Sequence, residues 1–327
     1  VAAIVIGNSA YQGGNISGAA LGADALFGHL PLVQRWHSST GINLWALLLG
    51  AVAAVVLWFG QYKLIERCLI ALVLLMSLAF IGTMLLTKPD LAALFKGAFI
   101  PVIPQGAILT VVALIGTTVV PYSLFLHAAG AAQKWPKQQI DTDTALRASR
   151  QDIALAIPLG GLISIAIVST AAAAFFGREQ SLDNVAQLAQ ALTPLFGTAA
   201  TWCLALGLLA AGLSSAITAP LAAAYAMTGI LGKPLNLKQP LFRLTWLVII
   251  VCGVTLSSIG VRPLQVIWFA QVANGILLPV ITLCLLVAVN AKALGRYRNN
   301  RRQNLLGFSV LAITLLLSSR TLYLALS

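Results

Sequence analysis

Nine long apolar runs divide this chain, and short polar loops separate them. A helix needs about 20 apolar residues to cross the hydrocarbon core of a bilayer, and each run has that length or nearly so. Backbone groups inside a bilayer must pair with one another, which makes helices the expected structure. The sequence therefore predicts an all-α, polytopic membrane protein with spans at 2–28, 43–60, 66–87, 103–132, 151–176, 198–231, 241–259, 264–291 and 304–326.

The composition supports a single membrane domain over residues 1–327. The chain is 59% hydrophobic and only 9% charged, which is typical of a multi-pass membrane protein rather than a soluble one. Its net charge of +12 lies in short loops, where Lys and Arg act as topology signals and contact anionic lipid. The lipid bilayer is thus an expected partner, and nucleic acid is not.

Basic residues are distributed unevenly between alternate loops. Most of the 20 Lys and Arg residues lie around 61–67, 133–150, 232–243 and 291–302, which predicts that these loops are cytoplasmic. Arg35 and Lys88 then lie on the outer side, with Val1 inside and Ser327 outside. The predicted location is a bacterial inner membrane or a plasma membrane.

The span 103–132 contains a helix break at Gly116-Thr117-Thr118-Val119-Val120-Pro121-Tyr122. Pro121 has no N–H, so the carbonyl of Thr117, four residues earlier, loses its helical donor. Gly116 lowers the local helix propensity further. A freed carbonyl in hydrocarbon needs a partner: another helix, a water, the Thr118 hydroxyl or a cation. The break is either a simple kink or part of an ion site.

Two other spans carry polar or helix-breaking residues. Gln12 and Asn15 lie in the first span, where they predict either hydrogen bonds between helices or a pathway for ions or protons. Pro220 frees the carbonyl of Ala216 in the span 198–231, which otherwise resembles a close-packing helix.

Amides and a histidine mark the remaining candidates. Gln271 and Asn274 are three residues apart and share a helix face, so they are expected to face a cavity or another helix. His127 follows Pro121 by six residues. It is either hydrogen bonded across helices or part of a pathway.

The residues for enzyme chemistry are missing. The sequence has no paired carboxylates, no Ser/His/Asp arrangement and no phosphate-binding loop, and its four cysteines are scattered. Neither an enzyme activity nor a cofactor is expected. The chain starts at Val1 within an apolar run, without a recognisable signal peptide, which suggests a fragment that lacks upstream helices.

The order of several stretches resembles the Nramp family of divalent-metal transporters. Gly116–His127 is similar to the family's sixth helix, with its Gly-Ala-Thr-Val-Met-Pro-His pattern. Leu206–Tyr225 resembles the eighth helix, Gln265–Ile281 the tenth and Tyr62–Phe80 the fifth. The similarity covers almost the whole chain.

The resemblance implies a LeuT-like fold of two inverted five-helix repeats plus extra helices. About nine of an expected eleven helices would be present, the first two being absent. The family's metal-binding Asp-Pro-Gly-Asn stretch does not occur in this sequence. The family site lies between the broken first and sixth helices, in agreement with the break at Pro121.

The resemblance also assigns residues to the metal site. Thr117 occupies the place of an Ala whose carbonyl binds metal, and Gln271 matches a tenth-helix Gln near the ion. Val120 replaces the metal-binding Met, and the Thr118 hydroxyl is a further oxygen donor. The implied metal set is thus Thr117, Thr118, Val120 and Gln271.

Pathway residues follow from the same alignment. His127 matches the second sixth-helix His, and Tyr122 replaces the first. Gln12 and Asn15 replace a third-helix Asp and Glu of the proton route. Because neutral amides cannot relay protons as carboxylates do, the resemblance does not carry proton coupling to this chain.

The expected function is secondary transport of a divalent metal ion, Mn²⁺/Fe²⁺ or Mg²⁺, by alternating access. The metal is the transported substrate. Loss of the Met ligand favours a hard ion, as in the Nramp-related magnesium transporters. The alternative is an organic-solute transporter, such as an amino acid carrier, of the same fold, and a membrane enzyme or a non-transporting subunit is a third interpretation. The oligomeric state is left open.

Overall fold

The computed structural model describes residues 2–59, 61–100, 102–104, 106–118, 121–135, 141–175, 185–233, 236–258 and 263–326. This part of the chain is nearly all helix and contains no strand within those ranges. The helices are α1 (Ala2–Phe27), α2 (Pro31–Thr40), α3 (Leu44–Phe59), α4 (Tyr62–Thr87), α5 (Leu91–Phe99), α6 (Ile108–Thr118), α7 (Pro121–Lys134), α8 (Thr142–Phe175), α9 (Val185–Ile230), α10 (Pro240–Ser258), α11 (Pro263–Val289) and α12 (Arg301–Leu326).

Each predicted span overlaps helix in the part of it that the structure describes, and most bounds agree within a few residues. The span 103–132 comprises two helices, α6 and α7. Helix α9 is interrupted at Gly197, whose φ of 77° lies in the left-handed region that favours glycine. Helix α8 starts ahead of the predicted 151 because the Asp141 carboxylate caps it, accepting from the Asp143 and Thr144 N–H groups at 3.1 and 3.4 Å.

Two short helices were not predicted, α2 and α5, although the sequence signals both. Pro31 is the first residue of α2, where its missing N–H costs nothing. The Asp90 carboxylate caps α5 by accepting from the N–H groups of Ala92 and Ala93 at 2.9 and 3.1 Å.

Several helices can cross a membrane. Four segments of the described chain are long and apolar enough: Lys63–Thr87, Thr142–Ala172, Gly197–Ile230 and Pro240–Ser258. A fifth results if α2 and α3, which are bent by 100°, count as one crossing. Large apolar side chains such as Leu78, Leu85 and Leu155 are exposed on these helices, as expected for surfaces that meet lipid. The total of nine crossings stays a prediction.

The contacts divide the chain into two compact units. Unit 1 comprises Val1–Pro101 with Phe125–Val266, and unit 2 comprises Val102–Leu124 with Ile267–Ser327. That residues 1–327 form one transmembrane domain therefore stays a prediction.

Small residues let α1 pack closely against α9 in unit 1. A Cβ at Gly22 would lie 2.6 Å from the Ala205 carbonyl oxygen, and one at Gly212 would lie 2.7 Å from Ala19 Cα. Such approaches are how membrane helices maximise van der Waals contact. The buried core of this unit is built from α1, α3, α9 and α10, with Ile16, Leu57, Ile217, Phe242 and Trp246 among its largest side chains.

Unit 2 brings α6, α11 and α12 together at Gly275. A Cβ at Gly275 would lie 2.6 Å from the Val112 carbonyl oxygen of α6. The Ser318 hydroxyl of α12 donates to the Gly275 carbonyl at 3.0 Å. Beyond α11, Asn290 and Asn304 exchange amide hydrogen bonds of 2.8 and 2.9 Å, which fix the connection to α12.

Candidate functional site

The predicted helix break falls at the junction of α6 and α7, where Val119 and Val120 lie outside the described residues. Helix α6 comprises Ile108–Thr118 and α7 comprises Pro121–Lys134. Val120 lies outside the described residues, as do the side chains of Thr118, Pro121 and Tyr122. The Thr117 carbonyl is in the last turn of α6. Its helical donor would be the N–H of residue 121, and proline has none.

Gly116 positions this helix end against α11. A Cβ at Gly116 would collide with the Gln271 carbonyl oxygen and would lie 2.8 Å from the Gly275 nitrogen. Only glycine permits this approach, so Gly116 serves close packing and not merely low helix propensity. The backbone of Gln271 therefore lies directly against the residue that precedes Thr117.

The side chain of Gln271 carries an unsatisfied acceptor. Its Oε1 atom is buried and has no hydrogen-bond partner among the described residues. A buried polar atom without a partner costs about 1–3 kcal/mol and calls for a specific explanation. An amide oxygen is also a ligand that hard cations accept. Asn274, three residues further on, lies outside the described side chains.

The oxygens at the end of α6 and on α11 are neutral. No group of three or more His, Cys, Asp or Glu residues that could hold a metal occurs within the described residues. The Thr117 hydroxyl donates to the Leu114 carbonyl at 2.5 Å, so the hydroxyl proton is engaged within its own helix. The donor atoms available to a cation at this end of unit 2 are carbonyl and amide oxygens.

Gln12 has a different environment from Gln271. It is fully buried, and its Nε2 group donates to the Ala216 carbonyl of α9 at 2.9 Å. That carbonyl is the one that Pro220 deprives of a helical donor. Asn15 donates weakly to Gln12 Oε1 at 3.4 Å, and the α10 backbone at Gly253 packs against the Gln12 side chain. Gln12 thus joins α1, α9 and α10 within unit 1.

His127 lies on α7, in the part that belongs to unit 1, and its side chain is exposed. Its neighbours Leu126 and Ala129 face the core of that unit. The metal candidates of the sequence therefore lie in unit 2, and Gln12, Asn15 and His127 lie in unit 1.

A comparison with known protein families identifies the family of this chain. The family model described as "Natural resistance-associated macrophage protein-like", or Nramp, matches residues 1–324. This chain belongs to the Nramp family. The resemblance deduced from the helix motifs is confirmed, and this Nramp chain is a multi-pass membrane protein, as the family and its apolar helices indicate.

Curated relatives of this Nramp chain carry the name "Divalent metal cation transporter MntH". One from Caldanaerobacter subterraneus is 27% identical over 94% of this chain and 71% of its own length. One from Klebsiella pneumoniae subsp. pneumoniae is 30% identical over 84% of this chain and 65% of its own length. A third from Aeromonas hydrophila is 31% identical over 82% and 67%. This chain thus spans about two thirds of the relatives that it matches.

Sequence reasoning missed two features of this Nramp chain. The Gly275 contact with α6 was signalled only by a glycine four residues after Gln271. The hydrogen bond from Gln12 to Ala216 joins residues 204 positions apart, and no local pattern predicts it.

Proposed function

We propose that this Nramp chain carries divalent metal ions across the membrane as a secondary transporter with a LeuT-like, alternating-access mechanism. Family membership and the names of its relatives support the substrate class. The break that the sequence predicts at Pro121 supports the mechanism, because discontinuous helices build the substrate sites of many secondary transporters. The metal ion is the transported substrate and is not chemically changed.

One observation carries the proposed ion site: the buried, unpaired Oε1 of Gln271. The Gln271 backbone packs against Gly116, next to Thr117, whose carbonyl has no donor from Pro121. Both oxygens are hydrogen-bond acceptors, and acceptors of this kind are ligands for hard cations. We propose that the Thr117 carbonyl and the Gln271 amide bind the ion, with the Thr118 hydroxyl as a further ligand.

The donor types favour a hard ion. Carbonyl and amide oxygens suit Mg²⁺ and Mn²⁺, while soft ligands select later transition metals. Val120 has no donor atom and supplies no soft ligand. Because this donor set is neutral, we expect it to hold a dication weakly by itself.

Proton coupling is not part of the proposal. Gln12 and Asn15 are amides that cannot exchange protons as carboxylates do, and Gln12 already holds the Ala216 carbonyl. We propose that both residues stabilise the bundle. Tyr122 and His127 remain pathway candidates, with Gly116 and Pro121 forming the break.

The test is metal uptake into proteoliposomes by the complete product of the gene. Mn²⁺ and Mg²⁺ uptake are compared while the internal pH is recorded. Gln271→Leu removes the amide oxygen and is expected to lower uptake at least tenfold. Gln265→Leu makes the same change at an exposed position of the same helix and serves as the control.

The results discriminate between the alternatives. Mg²⁺ uptake without acidification supports an uncoupled magnesium transporter, and Mn²⁺ uptake with acidification shows that coupling survives without the two carboxylates. Uptake of neither ion contradicts metal transport and favours the organic-solute carrier. Equal uptake by Gln271→Leu and Gln265→Leu contradicts the proposed ligand.

A further inference from the structure

A cavity lies in unit 1, at the junction of α1, α2 and α3. Its volume is about 370 Å³, within the range of about 300–1,000 Å³ that is typical of small-ligand sites. A water molecule occupies about 30 Å³ of liquid, so the cavity has room for an ion with several waters. We call it the α1–α3 cavity.

The lining of the α1–α3 cavity is rich in metal-binding atom types. Asp24 supplies a carboxylate, His37 an imidazole and Gln34 an amide. Ser38 adds a hydroxyl whose proton is donated to the Arg35 carbonyl at 3.0 Å, which leaves its oxygen lone pairs available. Carboxylate and amide oxygens bind hard divalent ions, and imidazole binds borderline ones.

The charge of the cavity is negative. Asp24 is the only acid in its lining, which contains no Lys or Arg. Asp24 is exposed, and the structure gives it no ion pair within the described residues. Its carboxylate is held near the end of α1, since a Cβ at Gly28 would lie 2.5 Å from Asp24 Oδ1. A cavity lined by both a carboxylate without an ion-pair partner among the described residues and an imidazole attracts a dication.

The cavity is separate from the proposed transport site. Its lining residues all belong to unit 1, whereas Thr117 and Gln271 belong to unit 2. The distribution of basic loops predicts that the α1–α3 connection, with Arg35, is on the outer side of the membrane. An ion that approaches from outside would meet the cavity directly.

We propose that the α1–α3 cavity binds a divalent metal ion through the Asp24 carboxylate and the His37 imidazole, with Gln34 and Ser38 as further donors. Its role, which rests on the proposed transport function, is to collect the ion on the outer side before transport. A carboxylate–imidazole pair suits Mn²⁺ better than Mg²⁺, because imidazole is a poor ligand for Mg²⁺.

The test is direct Mn²⁺ binding, followed by electron paramagnetic resonance of the free ion during titration of the complete protein in lipid nanodiscs. Asp24→Asn is expected to weaken binding at this site at least tenfold, and His37→Ala about threefold or more. Asp90→Asn makes the same charge change at a helix cap outside the cavity, and His29→Ala removes an exposed histidine that does not line it. Both controls are expected to stay within twofold of the parent.

A further variant tests the position of the Asp24 carboxylate without a change of charge. Gly28→Ala leaves all charges in place, but its Cβ would lie 2.5 Å from Asp24 Oδ1 and 2.6 Å from the Asp24 carbonyl oxygen. Asp24 must therefore shift, and Mn²⁺ binding is expected to weaken as well. Gel filtration and far-UV circular dichroism confirm that each variant is folded. The proposal is overturned if the parent binds no Mn²⁺, or if Asp24→Asn and His37→Ala bind it as the parent does.

The uptake assay separates this proposal from the transport function. If no variant takes up metal but Asp24→Asn loses Mn²⁺ binding, the cavity is a metal site and the transport proposal fails. If uptake depends on Gln271 while Asp24→Asn binds Mn²⁺ normally, transport stands and the cavity proposal fails.

Discussion

The hydrogen bond between Gln12 and Ala216 predicts a specific dependence on Pro220. Gln12→Leu removes the Nε2 donor while keeping a side chain of similar size at a fully buried position. The Ala216 carbonyl then has no donor, because proline at position 220 has no N–H. In the Pro220→Ala background, the backbone N–H of Ala at position 220 restores the helical partner, and the Gln12 amide is no longer required.

The expected loss in the free energy of unfolding follows from the burial of Ala216 and Gln12. Leaving a buried acceptor unpaired costs about 1–3 kcal/mol, while hydrogen bonds between membrane helices average about 0.6 kcal/mol, with a maximum near 1.7. We expect Gln12→Leu to lower the free energy of unfolding by about 1–2 kcal/mol with Pro220 present. With alanine at position 220 the cost should fall to about 0.5 kcal/mol, the part due to lost contact with Asn15.

The assay is reversible unfolding in mixed micelles with increasing SDS, followed by circular dichroism. Gly18→Ala on α1 is the control, since a Cβ there meets no atom within 4 Å, and it should change stability by less than about 0.5 kcal/mol. An equal cost of Gln12→Leu in both backgrounds would refute the reasoning. The Gln12 amide would then act elsewhere, and its interpretation as a pathway residue would gain support.

Two further predictions concern the packing of α6, α11 and α12. Gly116→Ala should destabilise the protein by about 1–3 kcal/mol in the same unfolding assay, because its Cβ collides with the α11 backbone near Gly275. Gly160→Ala, whose Cβ meets nothing within 4 Å, should be neutral or slightly stabilising. Ser318→Ala should cost about 0.6 kcal/mol through loss of the hydrogen bond to Gly275, whereas Ser319→Ala, exposed and bonded within its own helix, should have no measurable effect.

Much of the fold could be predicted because hydropathy and length are local properties. The helix bounds at α1, α3, α10 and α11 follow the apolar runs closely. The polar start of α8 was missed because its signal is a cap, and α2 and α5 were missed because helices of 10 and 9 residues are too short to cross a membrane. The bend of 100° between α2 and α3 was also not predicted, since it depends on packing.

The site was less predictable. The sequence shows which carbonyls lose a donor, because that depends only on a proline four residues later. It does not show which side chain supplies a substitute, since the partner of Ala216 is 204 residues away. For the same reason the sequence did not indicate the α1–α3 cavity, because Asp24 and His37 belong to different helices.

Two prolines in this chain pose the same chemical problem with opposite solutions. Pro220 and Pro121 each deprive a carbonyl of its helical donor, at Ala216 and Thr117. At Ala216 the carbonyl accepts a hydrogen bond from the Nε2 group of Gln12 at 2.9 Å. On the α11 side, the Gln271 backbone packs against Gly116, next to Thr117, and the Gln271 Oε1 atom is buried without a hydrogen-bond partner among the described residues. This difference is the reason for our proposal that oxygens of α6 and α11 bind the transported ion, whereas Gln12 stabilises the bundle.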